Sequence, residues 1–138
     1  MLGVGFLSFN IFNTFMGNGI KRVEDLDVYK KLFNLHIKVH NLTLTFPKFE
    51  LYELGSQLRR SSNSIPANLA EGFNNKHTKM YLEGISRAQA ELRETKHHLK
   101  VAYCKKYIII EKLKYFIDEY DICGKMLTNL EKSLNRYN

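Results

Sequence analysis

Glu94 and His97 stand three residues apart in Glu94-Thr95-Lys96-His97, the spacing that lets a helix turn a carboxylate and an imidazole toward one metal ion. Di-iron chemistry in a helical bundle needs two such motifs and two further glutamates, all facing inward, and the chain has one copy. His36 and His40, four apart, could face a single ion, yet no Glu follows His36 as the zinc-protease pattern His-Glu-x-x-His requires. These are read as ordinary helix histidines, and His97-His98 as surface. The serines include no Gly-x-Ser-x-Gly elbow, and no Gly-rich phosphate loop occurs. Cys104 and Cys123 have neither metal nor redox spacing. A disulfide between them stays open on sequence, with free thiols in a reducing cytoplasm the preferred reading. No catalytic residue, no metal and no cofactor is expected, and the chain is read as a non-enzyme.

What remains is charge. The 138 residues hold 21 Lys and Arg against 14 Asp and Glu, a formal +7. The excess is local: residues 59–106 hold ten basic against four acidic side chains, whereas 107–138 are balanced at five each. Such asymmetry speaks about partners rather than fold. It suits phosphates, whose neutralisation releases counterions and makes binding salt-sensitive. The candidate nucleic-acid contacts are Arg59, Arg60, Lys76, Lys79, Arg93, Lys96, Lys100, Lys105 and Lys106. No base-reading module is visible, so contacts to backbone and shape are expected. The alternatives are a structural oligomer whose basic patch meets an acidic protein, and a solvated basic surface that only aids solubility.

These cations must be carried by helices. Leu26, Tyr29, Leu32, Phe33, Val39 and Leu42 predict a first helix over about 26–43, with Asp25 or Asp27 as its cap. Phe46-Pro47 separates it from a second, over about 48–71. There Leu51, Leu54, Leu58, Ile65 and Leu69 share a face, and Pro66 falls inside the pattern. An interior proline removes one donor and crowds the carbonyl four residues back, here that of Ser62, which predicts a kink. Two separate helices broken at Ser64-Ile65-Pro66 are the alternative. Ser62, Ser64, Asn68 and Glu71 are expected to satisfy groups around the kink, with Asn68 bonding backbone or a neighbouring subunit and Glu71 facing Arg59, Arg60 or a lysine. Gly72 is expected to end the helix in the left-handed conformation.

Thr78 is the expected cap of a third helix whose seam is Tyr81, Ile85, Ala88, Leu92, Thr95, Leu99 and Ala102, a heptad pattern. Arg93, Lys96 and Lys100 then lie along one flank. A connector over 103–110 leads to a fourth helix that begins at the isoleucine run 108–110. Its face is Leu113, Phe116, Ile117, Tyr120, Cys123, Leu127, Leu130 and Leu134, and Gly124 is expected to allow a neighbouring helix close. The fold class is therefore all-α: an antiparallel up-down-up-down four-helix bundle with a proline-kinked second helix. Leu35, Ile37, Leu82 and the isoleucines are surplus to that core and point to an interface. The bundle domain is assigned to 21–138. Residues 1–20 carry no charge and repeat Phe6, Phe9, Phe12 and Phe15. They are read as an extension that a start at Met16 would mostly remove, with an ordered arm or a weak membrane or partner anchor as alternatives. No membrane-spanning segment is expected.

The stretch Arg59-Arg60-Ser61-Ser62-Asn63-Ser64-Ile65-Pro66-Ala67-Asn68-Leu69-Ala70-Glu71-Gly72 resembles the hallmark segment of the four helix bundle protein family. Those proteins were first noticed as products of intervening sequences in bacterial large-subunit ribosomal RNA genes. The family includes the accessory variability determinant of diversity-generating retroelements. The likeness continues in Glu24-Asp25-Leu26-Asp27-Val28-Tyr29, in Phe46-Pro47-Lys48-Phe49-Glu50 and beyond Tyr107, covering about 22–137. Ser61-Ser62 departs from it, since small alanines are usual there, and residues 1–20 have no counterpart. The resemblance implies the same bundle, assembly into a homopentamer, and a partner such as a reverse transcriptase or RNA.

Overall fold

Among the described residues, hydrophobic spacing of three and four builds four helices that bury one face each. The computed structural model describes residues 19–74 and 76–136; the phenylalanine repeat and the alternatives for it lie outside the described residues. The helices are α1 (Asp27–Thr43), α2 (Leu54–Gly72), α3 (Thr78–Cys104) and α4 (Ile110–Asn135), with short 3-10 turns at Val23–Asp25 and Lys48–Glu50. Among the described residues there is no strand, and no helix is long and apolar enough to cross a membrane. Facing pairs fall in number along one helix as they climb along its neighbour: His36 with Ser62 and Thr43 with Arg59, Ser61 with Thr95 and Gly72 with Gly84, Lys31 with Glu119 and Lys38 with Tyr115.

The core follows the expected faces. Leu32, Val39, Leu58, Ile65, Leu69, Ile85, Ala88, Leu99, Ala102, Tyr120, Cys123 and Leu127 are fully enclosed. Leu35 is also buried, so it belongs to the core rather than to a spare surface, while Ile37 and Leu82 are half-buried. Of the isoleucine run only Ile108 packs inside; Ile109 and Ile110 are exposed, and α4 begins at Ile110. Both cysteines are free, Cys104 exposed and Cys123 buried.

Helix boundaries differ from expectation where side chains chose other partners. Asp25 does not cap α1: its carboxylate accepts from the backbone amides of Lys21 and Arg22 at 2.9 and 3.0 Å, closing the preceding 3-10 turn. Leu26 stands at the α1 cap position with no side-chain bond, and Asp27 lies in the first turn. Thr78 is the first residue of α3, not its cap. The turn before it is held by Asn74, whose Oδ1 accepts from the amides of Lys76 and His77 at 2.7 and 3.0 Å, an Asx turn. Residues 48–50 do not extend α2; they turn so that Glu50 points inward. There Tyr107 donates its hydroxyl to Glu50 Oε2 at 2.7 Å, and Lys105 Nζ donates to the same oxygen at 3.1 Å. This staple ties the connector after α1 to the connector after α3.

The Tyr107 hydroxyl, then the Lys105 ammonium, hold the Glu50 carboxyl below the ordinary value of 4.5. A carboxyl so lowered stabilises the fold above its unfolded-state pKa, and that contribution is lost as pH falls through the lowered folded value. The melting temperature should therefore fall more steeply below about pH 4.5 in the native chain than in Glu50→Gln. Equal slopes in scanning calorimetry would remove Glu50 from the acid response.

The end of α3 carries a second local feature. Lys106 has φ of 68°, the left-handed region that costs a side-chain-bearing residue about 1–2 kcal/mol. The amide of Tyr107 bonds Ala102 O and that of Lys106 bonds Tyr103 O, both at 2.9 Å, the paired closure of a Schellman motif, where glycine is usual. Lys106→Gly is expected to stabilise the chain by about 0.5–1 kcal/mol, once glycine's extra freedom in the unfolded chain is set against the relieved strain. Urea unfolding checks this; a less stable variant would show that the lysine fits its backbone without strain.

Candidate nucleic-acid interface

The nine candidate cations do not share one environment. Arg59 is half-buried and engaged inside the fold: its guanidinium donates to Thr43 Oγ1 at 2.8 Å and to Leu51 O. It fastens the end of α1 and the 3-10 turn to α2, so it is a structural arginine rather than a phosphate contact. Arg60 is exposed but paired to Glu94 and, at 3.9 Å, to Glu91. Lys105 serves the Glu50 staple and stays exposed. Lys76, Lys79, Arg93, Lys100 and Lys106 are exposed and form no ion pair among the described residues.

Arg93 and Lys96 are brought to a groove of about 660 Å³ between α3 and α4, where Lys125 and Lys132 join them from the facing helix. Leu92 and Tyr120 line its inner side, and Thr128 and Asn129 add polar groups. Tyr120 is wholly buried, its hydroxyl has no partner among the described residues, and burial raises its pKa. Among the described residues the one carboxylate lining the groove is Asp121, and Lys96 Nζ already donates to it at 2.6 Å. Arg93, Lys125 and Lys132 are exposed and form no ion pair among the described residues. Lys125 and Lys132 lie two helical turns apart, about 10 Å, the axial rise of about three nucleotides.

Sequence reasoning missed Lys125 and Lys132. Residues 107–138 balance to zero, which hides a cationic stripe on one face; the seven-residue spacing of the two lysines was the available signal. Gly124 also lines this groove, and a Cβ there would meet nothing within 4 Å. It does not admit a neighbouring helix, contrary to expectation.

The polar turn in α2 has a structural role. Pro66 lies inside the helix and is buried. Ser61, Ser62, Ser64 and Asn68 donate to the carbonyls of Leu58, Arg59, Arg60 and Ser64, which flank the Ser62 carbonyl that the proline leaves without its usual donor. Ser61 and Ser62, the two departures from small alanines, are fully buried and satisfied across helices: Thr95 Oγ1 donates to Ser61 Oγ at 2.9 Å, and His36 Nδ1 shares a 2.8 Å bond with Ser62 Oγ. Most buried hydroxyls find such partners. Glu71 is exposed; the partner of Arg60 is Glu94 from α3, not Glu71. Gly72 is not left-handed. It is a helical residue followed by Phe73 at φ −54°, and its small size matters because the backbone of Gly84 packs against it. His98 is buried, not a surface residue; burial lowers its pKa, opposed by Glu94 at 3.5 Å. Glu94, half-buried between Arg60 and His98, is therefore a helix-to-helix contact.

Four amphipathic helices with buried seam residues define a helical bundle. Residues 24–129 match the 23S rRNA-intervening sequence protein family, and the chain belongs to it. None of the curated proteins compared with the chain matches it.

Proposed function

We propose that this chain is a non-catalytic, cytoplasmic, self-associating bundle that binds RNA by its sugar–phosphate backbone in the α3–α4 groove. The observation that carries the reading is the meeting of Arg93, Lys125 and Lys132, from two helices, around a groove whose carboxylate is already neutralised by Lys96. Cations without partners neutralise phosphates and release counterions, and hydroxyl and amide groups beside them suit backbone contacts that position without reading sequence. The family's description concerns intervening sequences of 23S rRNA, which makes RNA the nucleic acid to test first. Self-association, five copies by the resemblance, and a reverse transcriptase or similar enzyme as protein partner complete the proposal.

Filter binding of random-sequence RNA at two salt concentrations tests it. Binding at low micromolar protein that weakens steeply with salt is the expected result. Salt-insensitive binding, or none, would replace this reading with a structural oligomer whose basic face meets an acidic protein.

A further inference from the structure

Away from the groove, the Glu50 staple does more than close the bundle. By locking Glu50 to Lys105 and Tyr107, and through the contact of the Phe46 and Tyr107 rings at 5.4 Å, it sets the turn at residues 48–50 beside Lys105 and Tyr107. Phe49 is 72% exposed and Tyr52 85%, far beyond what an aromatic ring ordinarily shows to water. Lys48 precedes Phe49 in the chain, and Lys48, Lys105 and Lys106 are exposed. Glu53, also exposed, shares a small depression with Glu50 and Lys105.

We propose that this end of the bundle is a stacking platform for unpaired bases of a single-stranded nucleic acid. Phe49 and Tyr52 supply flat faces for the bases, and Lys48, Lys105 and Lys106 follow the phosphates beside them. Every base has a π-face, so rings interleaved with cations hold a single strand without regard to sequence. The composition favours this over a protein contact, because lysine is depleted from the cores of protein interfaces, and here Lys48 adjoins Phe49 in the chain while Glu50 draws Lys105 to the same turn. Lys106 adds an independent pointer. A lysine holds a left-handed position where glycine would be unstrained, and such outliers cluster at functional sites. The proposal rests on the nucleic-acid reading above and adds a second contact, specific to single strands, at this end.

The test uses the full chain, a short single-stranded RNA carrying one fluorescent adenine analogue, and a blunt RNA duplex. Stacking should quench the analogue in the native complex. Phe49→Ala and Tyr52→Ala, both at exposed positions, should each weaken single-strand binding about tenfold and abolish the quench, with duplex binding and melting temperature unchanged. Lys106→Gly should bind the single strand more weakly while melting higher, a combination that damage to the fold does not produce. Quenching that survives the double variant overturns the platform, as does an equal loss on duplex and single strand. Loss of self-association by light scattering with RNA binding intact would make this end a contact between copies instead. No RNA binding by the native chain defeats both readings. Duplex binding in the groove with no quench on the single strand defeats this one alone.

Discussion

Replacing Gly84 by alanine is expected to lower the melting temperature by about 6–10 °C. A Cβ at Gly84 would stand 2.7 Å from Asn68 O and 2.9 Å from Gly72 Cα; one at Gly72 would stand 2.8 Å from both Gly84 Cα and Met80 O. Every atom met is backbone, so no rotamer change relieves the clash and α2 and α3 must move apart. Separation loosens the packing of Leu69, Ile85 and Ala88, all fully enclosed. Alanine is the better helix former by about 1 kcal/mol, which opposes the loss. Overpacking costs about 1–3 kcal/mol where side chains can adjust, and rigid backbones make the upper end the right guide, leaving a net loss of about 2 kcal/mol. Gly124→Ala is the internal control. Its Cβ would meet open space, so only the propensity gain acts and stability should rise by about 0.5–1 kcal/mol. If calorimetry finds Gly84→Ala as stable as Gly124→Ala, the helices do not meet at these two glycines.

Those glycines show where sequence suffices and where it stops. The seam of α3 was legible, Thr95 included, because burial repeats with the helical turn and needs only local spacing. Gly72 was expected to serve as a left-handed terminator, a local role; what makes it necessary is a residue twelve positions away on another helix. Arg59 and Glu50 are alike in this. Nothing near Arg59 in the chain shows that Thr43 Oγ1 and Leu51 O come within its reach, and nothing near Glu50 points to Tyr107. The flank formed by Arg93 and Lys96 was visible as an angle on one helix. The groove was not, because its other wall comes from α4, whose cations are cancelled in the count by an equal number of acids over 107–138.

Replacing Arg93, Lys125 and Lys132 together by glutamine should weaken RNA binding about a hundredfold at 0.1 M salt. Each phosphate neutralised on a single strand contributes about 0.7 to the slope of log affinity against log salt, so three lost contacts reduce that slope by about 2. The same slope carried down from molar salt gives the loss at 0.1 M. Net charge alone cannot produce this result if the control is chosen by position: Lys21, Lys114 and Arg136 are exposed cations outside the groove, and their triple glutamine variant carries the same total charge. Its slope should stay within experimental error of the native one, apart from a small long-range effect that salt screens. Asp121→Asn works in the opposite direction. It removes the groove's carboxylate and frees Lys96, adding one phosphate contact and about a fivefold gain at the same salt. If the two triple variants lose affinity equally and Asp121→Asn changes nothing, RNA is held by diffuse charge, and the convergence of α3 and α4 on that groove has no part in binding.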